Sequence, residues 1–290
     1  MTAITTAQSM TYPPTERAMD VMQMRAFAYG DGFFSTMGVH DGQIVGVDGH
    51  RLRITNSLSA FGMQMDVDGL MAQLGKCAKQ MQQGIIKVII SRQAQAVRGY
   101  GYLPTADGMM AMADIRLMPS ALYAQHQWHD GIPIAPSITM TTLTSTIGHR
   151  TARLVGLKLI ACPEQVLAHA ELLERQQAGD DSDDGLIANV HGQWVCATVG
   201  NIFYQLDGHW YTPPVDISGV AGVMRQMVMA KAVQSDKAVQ EQILSDDDLP
   251  KLQALCMTNA VRGIVPVAQL KLAGAIKPLQ MVLPIGIRLD

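Results

Sequence analysis

Three dipeptides fix where this chain must reverse: Asp41-Gly42, His191-Gly192 and Asp207-Gly208, each set between apolar runs. Tight two-residue turns need positive φ, which glycine supplies without steric cost. They predict one hairpin joining residues 34–39 to 43–47 and two more in the second half. Helical periodicity surrounds the first. Residues 50–61 read as a helix with Leu52 and Leu58 inward, and 68–82 place Leu74, Cys77, Ala78 and Met81 at i, i+3, i+4 and i+7. Strands at 85–91 and 110–117 complete a small two-layer unit at 1–118, whose first 24 or so residues read as a loose leader or a weak strand. Residues 119–131 break the pattern and read as a linker. A larger second domain at 132–290 opens on a strand at 132–141. A helix follows from Pro163 with Val166, Ala170 and Leu173 inward, then the two hairpins, a helix ending near Gln234, and closing strands at 255–258 and 264–268. The expected class is α+β or α/β in two domains, which 290 residues with 48% apolar content can support.

Net charge is −3 with Lys and Arg scattered, so no basic stripe points to nucleic acid. Cys77, Cys162, Cys196 and Cys256 stand far apart, which suits a reducing compartment. The N-terminus lacks the apolar core of a signal peptide, and no apolar run reaches the length of a membrane span. The expectation is a cytoplasmic protein, with neither nucleic acid nor membrane as partner. No metal site is expected: His-Glu-x-x-His is absent, and the aspartates of 179–185 lack calcium-loop spacing.

Lys158 lies in Leu154-Val155-Gly156-Leu157-Lys158-Leu159-Ile160. An ammonium among apolar residues is paired, neutral or covalently engaged, or its stem lies on the surface with its head in water. A desolvated lysine amine is a nucleophile for carbonyl groups. Gly219-Val220-Ala221-Gly222 opens a helix and forms either an anion site or an ordinary helix start. Arg53, three residues after His50, either seeks a carboxylate or phosphate or is a surface arginine. Arg98-Gly99-Tyr100 offers a guanidinium at a strand end or simply in a loop. Asn259, in an apolar run, needs a ligand or a backbone contact.

Their order adds to these local signals. Ala28-Tyr29-Gly30-Asp31-Gly32-Phe33-Phe34-Ser35-Thr36 comes first, then His50-x-x-Arg53, Ile89-Ile90-Ser91-Arg92 and Arg98-Gly99-Tyr100. Gly156-Leu157-Lys158 with Glu164-Gln165-Val166-Leu167, Asn201-Ile202-Phe203, Tyr211-Thr212-Pro213-Pro214, Gly219-Val220-Ala221-Gly222-Val223-Met224-Arg225 and Thr258-Asn259-Ala260 follow. From about residue 25 to 268 the chain resembles the fold type IV pyridoxal-phosphate enzymes, most of all those that cleave 4-amino-4-deoxychorismate to 4-aminobenzoate and pyruvate for folate. The resemblance implies a small α/β domain and a larger β-barrel-like domain with flanking helices. It implies a homodimer, with pyridoxal 5′-phosphate held between the domains. Lys158 would bond covalently to the cofactor and shuttle protons. Arg53 and the backbone N–H groups of Val223 and Met224 would hold its phosphate, with Asn259 nearby and Asn201 in the cofactor frame. Tyr29, Phe34 and Arg98 would face the substrate.

The sequence also departs from the family. Cys196 stands where a glutamate normally pairs with the cofactor's pyridine nitrogen, and a neutral thiol cannot stabilise a pyridinium. Ala161 and Cys162 replace the usual Asn and Arg after the lysine, and Met24 replaces an aspartate. Three readings of Cys196 follow: a lyase that tolerates the loss because its product is aromatic, a carboxylate supplied from elsewhere, or a non-catalytic homologue. An aminotransferase for D- or branched-chain amino acids is the alternative activity on the same frame.

Overall fold

The computed structural model describes residues 3–13, 23–234, 238–273 and 275–289; part of the expected leader therefore lies outside the described residues. The chain divides into two compact units. The first is Met1–Ala124 with Leu157–Ala161; the second is Gln125–Gly156 with Cys162–Asp290.

The first unit contains β1 (Gln8–Tyr12), α1 (Arg25–Tyr29), β2 (Gly32–His40), β3 (Gln43–Ile44), α2 (Val47–Phe61), α3 (Val67–Met81), β4 (Gly84–Arg92), α4 (Ala106–Met109) and β5 (Ala111–Pro119). Its 5-stranded antiparallel sheet runs β1-β5-β4-β2-β3. The hairpin turns at Asp41-Gly42, both at positive φ. Strand alternation sends Phe33, Met37, Ile86, Val88 and Ile115 into one core with Ile54, Leu70 and Leu74 of the helices. The Asp66 side chain caps α3 by accepting from Gly69 N at 2.9 Å. The expected inward face of α2 needs correction. Leu58 is buried but Leu52 is exposed, and the buried stripe is His50, Ile54, Ser57 and Leu58. Two polar residues on the inner face disguised it.

The second unit contains β6 (Gln127–His129), β7 (Ile132–Ile134), β8 (Ile138–Ile147), α5 (Pro163–Gln177), β9 (Asp184–Asn189), β10 (Trp194–Ala197), β11 (Asn201–Leu206), β12 (His209–Thr212), α6 (Val223–Gln234), β13 (Gln240–Glu241), β14 (Ala254–Asn259), β15 (Gly263–Leu272) and β16 (Ala275–Pro278). β11, β10, β9, β8, β15 and β14 pair in turn, and β14 pairs back to β11, closing a barrel. Met140, Leu186, Ile202, Tyr204, Met257 and Val265 fill it. Both predicted hairpins form. The strand expected at 132–141 is two strands, and Pro136, which has no N–H to donate, lies in the break between them. Residues 119–131 are not structureless: β6 lies among them and pairs with β7. The strand order also continues past 268, where β16 pairs with β15. In α5 the buried residues are Ala168 and Leu172, while Val166 and Leu173 are exposed. Apolar residues on two faces of this helix made the wrong stripe look inward.

Lys158 groups with the first unit, not with 132–290. Phe34 N donates to Lys158 O at 2.9 Å, Ile160 N donates to Gly32 O at 3.3 Å, and Phe33 bridges to Leu159. The segment borrows backbone partners from the start of β2, a pairing that periodicity cannot reveal.

Candidate active site

In the first unit, two backbone hydrogen bonds fix the Lys158 segment while the residue itself stays half-buried. Its Nζ lies 4.5 Å from the centroid of the Phe34 ring, and Lys87 Nζ lies 5.2 Å from the same ring. An aromatic face stabilises an ammonium and blocks one side of it. The amine is therefore aimed rather than drifting in solvent.

Ser35, the next residue on β2, belongs to a buried polar pair. Its Oγ and His50 Nδ1 share a 2.8 Å hydrogen bond, and Arg53 Nη1 donates to Ser35 Oγ at 3.5 Å. Spacing of i, i+3 puts His50 and Arg53 on one side of α2. Burial lowers the Arg53 guanidinium to about 10, so it stays cationic at neutral pH. Burial, and then the Arg53 charge, lower His50 to about 3. The unfolded state therefore binds a proton that the folded state refuses. The protein should lose about 1.4 kcal/mol of stability per pH unit from this group as pH falls from about 6 to about 3. Urea unfolding across that window should show a shallower loss for His50→Asn than for the unaltered protein. Parallel slopes would refute a buried neutral His50.

Tyr29, at the end of α1, is exposed, and Arg98 lies in the loop that follows β4. The Tyr29 ring lies 5.4 Å from that of Tyr100, and Arg25 Nη2 donates to Tyr100 O at 3.0 Å. Arg25 and Arg92 both donate to Asp31 Oδ2, at 2.7 and 3.1 Å. Arg92 also donates to the carbonyls of Phe61, Gly62 and Gly108, and its guanidinium sits 3.7 Å from the Tyr102 ring centroid. These contacts hold the 98–103 loop from below. Asp31 and Arg92 stood in the sequence motifs, but nothing there linked them to Arg25.

In the second unit, strand register aligns Cys196 with Asn201 and Asn201 with Thr258. Directly paired residues share a sheet face. Their chain neighbours Ala197, Ile202 and Met257 fill the barrel, so this row lies on the outer face. Asn201 Nδ2 donates to Val220 O at 2.8 Å, which ties the row to the segment entering α6. A Cβ on Gly222 would lie 2.1 Å from Asn201 Oδ1, so only glycine fits there. Val223 and Met224 are buried in the first turn of α6, which carries no acidic residue. Backbone N–H groups at such a helix start favour an anion. Thr258 Oγ1 is buried with no partner among the described residues. Thr258 stood in the Thr258-Asn259-Ala260 motif, but a threonine in a strand gave no sign that its hydroxyl would lack a partner. Asn259 Oδ1 accepts from Val261 N at 3.0 Å and Arg262 N at 2.7 Å, so the backbone contact is its partner. Cys196 is buried, and Gln165 Nε2 lies 3.8 Å from its sulfur. The buried Asp184 accepts from Gly185 N, Thr198 N and Thr198 Oγ1.

Gly222→Ala should cost about 1–3 kcal/mol through overpacking against Asn201. Chemical unfolding checks this; an unchanged midpoint would show that the α6 entrance has slack.

Comparison with known proteins agrees with this architecture. The family model for amino-transferase class IV matches residues 32–270. An aminodeoxychorismate lyase of Vibrio harveyi is 27% identical over 248 residues, covering 84% of each chain. The crystal structure of 4-amino-4-deoxychorismate lyase from Pseudomonas aeruginosa is 24% identical, covers 94% of both chains and superposes with a TM-score of 0.76. An aminotransferase from Brucella abortus, solved bound to pyridoxal phosphate, is 17% identical over 95% of this chain and 94% of its own, with a TM-score of 0.72. The match spans both units. The chain belongs to the class IV aminotransferase family, whose members depend on pyridoxal 5′-phosphate.

Proposed function

We propose that this is a cytoplasmic, homodimeric lyase that converts 4-amino-4-deoxychorismate to 4-aminobenzoate and pyruvate, supplying folate synthesis. The observation that carries the proposal is Lys158, an amine on a backbone-pinned loop with its Nζ 4.5 Å from the Phe34 ring centroid. The Vibrio harveyi relative favours a lyase over other activities of the family.

Each unit by itself carries groups that suit the cofactor. In the first, Lys158 would offer the amine and Arg53 a cation; in the second, the α6 start would offer backbone donors and Thr258 a hydroxyl without a partner among the described residues. When bound, pyridoxal phosphate supplies a carbonyl that takes up the substrate amine and a ring that delocalises negative charge. Lys158 Nζ then removes the proton on the ring carbon beside the substrate nitrogen and returns a proton as pyruvate departs, serving as base and acid in turn. Phe34 limits where that amine can swing. Arg98 and Tyr29 would take the carboxylate-bearing part of the substrate, and Arg25 and Arg92 hold the 98–103 loop that carries Arg98.

Incubating the protein and pyridoxal phosphate with 4-amino-4-deoxychorismate should give 4-aminobenzoate and pyruvate in equal amounts. Amino-acid formation from a keto acid, without 4-aminobenzoate, would identify an aminotransferase. No product in either assay, with cofactor bound, would identify a non-catalytic homologue.

A further inference from the structure

The row Cys196–Asn201–Thr258 has a buried polar atom at each end that lacks a partner among the described residues. At one end is Thr258 Oγ1. At the other is Gln165 Oε1, whose amide nitrogen lies 3.8 Å from Cys196 Sγ. All of these groups belong to one compact unit. Neighbouring strands lie about 4.8 Å apart, so the row spans roughly 10 Å. That length suits a phosphorylated pyridine with a hydrogen bond at each end. The anion-favouring start of α6 meets the row at Asn201, through Val220 O and Gly222. With the phosphate at the Thr258 end, where the unpartnered hydroxyl can donate to it, the ring would extend towards Cys196.

We propose that Gln165 is the hydrogen-bonding partner of the cofactor's ring nitrogen and that Cys196 positions its amide. This rests on the cofactor assignment above. The two ends of an amide have the same shape. Turned over, Gln165 Oε1 accepts the Cys196 S–H and Nε2 donates to the ring nitrogen, leaving no amide atom idle. A thiol is a poor partner by itself. A neutral amide gives a pyridinium no counter-charge, and an uncompensated buried cation is costly. The bound ring nitrogen is therefore unprotonated at neutral pH, and the ring withdraws electrons less strongly. That suffices for a reaction driven by aromatisation of its product and handicaps amino-group transfer.

The test follows bound pyridoxal phosphate labelled with ¹⁵N at the ring, by NMR, together with its dissociation constant by equilibrium dialysis. Unaltered protein should give the unprotonated nitrogen signal at pH 7. Gln165→Glu, which restores a carboxylate, should move it to the protonated position. Gln165→Leu should weaken cofactor binding about threefold to tenfold, the worth of one neutral hydrogen bond. A protonated nitrogen in the unaltered protein overturns the proposal. So does a signal that Gln165→Glu leaves in place. If Gln165→Leu does not fold, Gln165→Glu decides. Unaltered protein that binds no pyridoxal phosphate overturns the cofactor assignment itself, and that titration comes before either variant.

Discussion

Lys158→Ala should abolish 4-aminobenzoate formation, lowering the rate by about 10²–10⁴-fold or more, because base, acid and covalent anchor are lost together. The fold should survive. Lys158 is half-buried, and it is the backbone of its segment that bonds to β2. Melting temperature should therefore stay close to that of the unaltered protein while the visible band of bound cofactor disappears. Lys158→Arg should be nearly as inactive, since a guanidinium keeps the charge but cannot shed its proton near neutral pH. Substantial lyase activity in Lys158→Ala would mean that another amine performs the chemistry, and Lys87, beside the same Phe34 ring, would be the first to examine.

Arg92→Leu should be the most damaging change for stability, at about 3–5 kcal/mol. The mutation removes one of the two guanidinium groups on Asp31 and strips the carbonyls of Phe61, Gly62 and Gly108 of a donor. Arg92 is almost wholly buried, so water cannot easily replace it. It also stacks on Tyr102, so the 98–103 loop should loosen and KM should rise more than kcat falls. Arg92→Lys should recover part of the Asp31 pairing but not the three carbonyl contacts, because an ammonium lacks the planar fork. Urea unfolding measures the loss. A change below about 1 kcal/mol would show that Arg25 alone neutralises Asp31.

Turns and strands were legible in the sequence because their signals are local. Asp41-Gly42, Asp207-Gly208 and the proline at the start of α5 mark structure within a few residues. Helix faces were less legible where polar groups turn inward. His50 and Ser57 face the core of the first unit, so the hydropathy of α2 pointed instead to Leu52. α5 erred in the opposite way, with leucine and valine facing outward. The candidate site was legible as a list of residue types in order, but not as contacts. The Ser35–His50 hydrogen bond joins residues 15 positions apart, and the Arg25 contact with Tyr100 spans 75. The Cys196–Asn201–Thr258 row needs the barrel to close before it exists. Lys158 was picked out by its apolar neighbours, yet its place beside Phe34 comes from a backbone pairing with β2 that carries no side-chain signature.

The most direct test of the proposed chemistry is to locate the cofactor's covalent attachment. Protein loaded with pyridoxal phosphate would be reduced with borohydride, digested, and its modified peptide identified by mass spectrometry. The expected result is one phosphopyridoxyl group, on the peptide containing Lys158 and on that residue. Modification at Lys87 or scattered over surface lysines, with Lys158 untouched, would contradict the assignment of Lys158 as the cofactor's anchor.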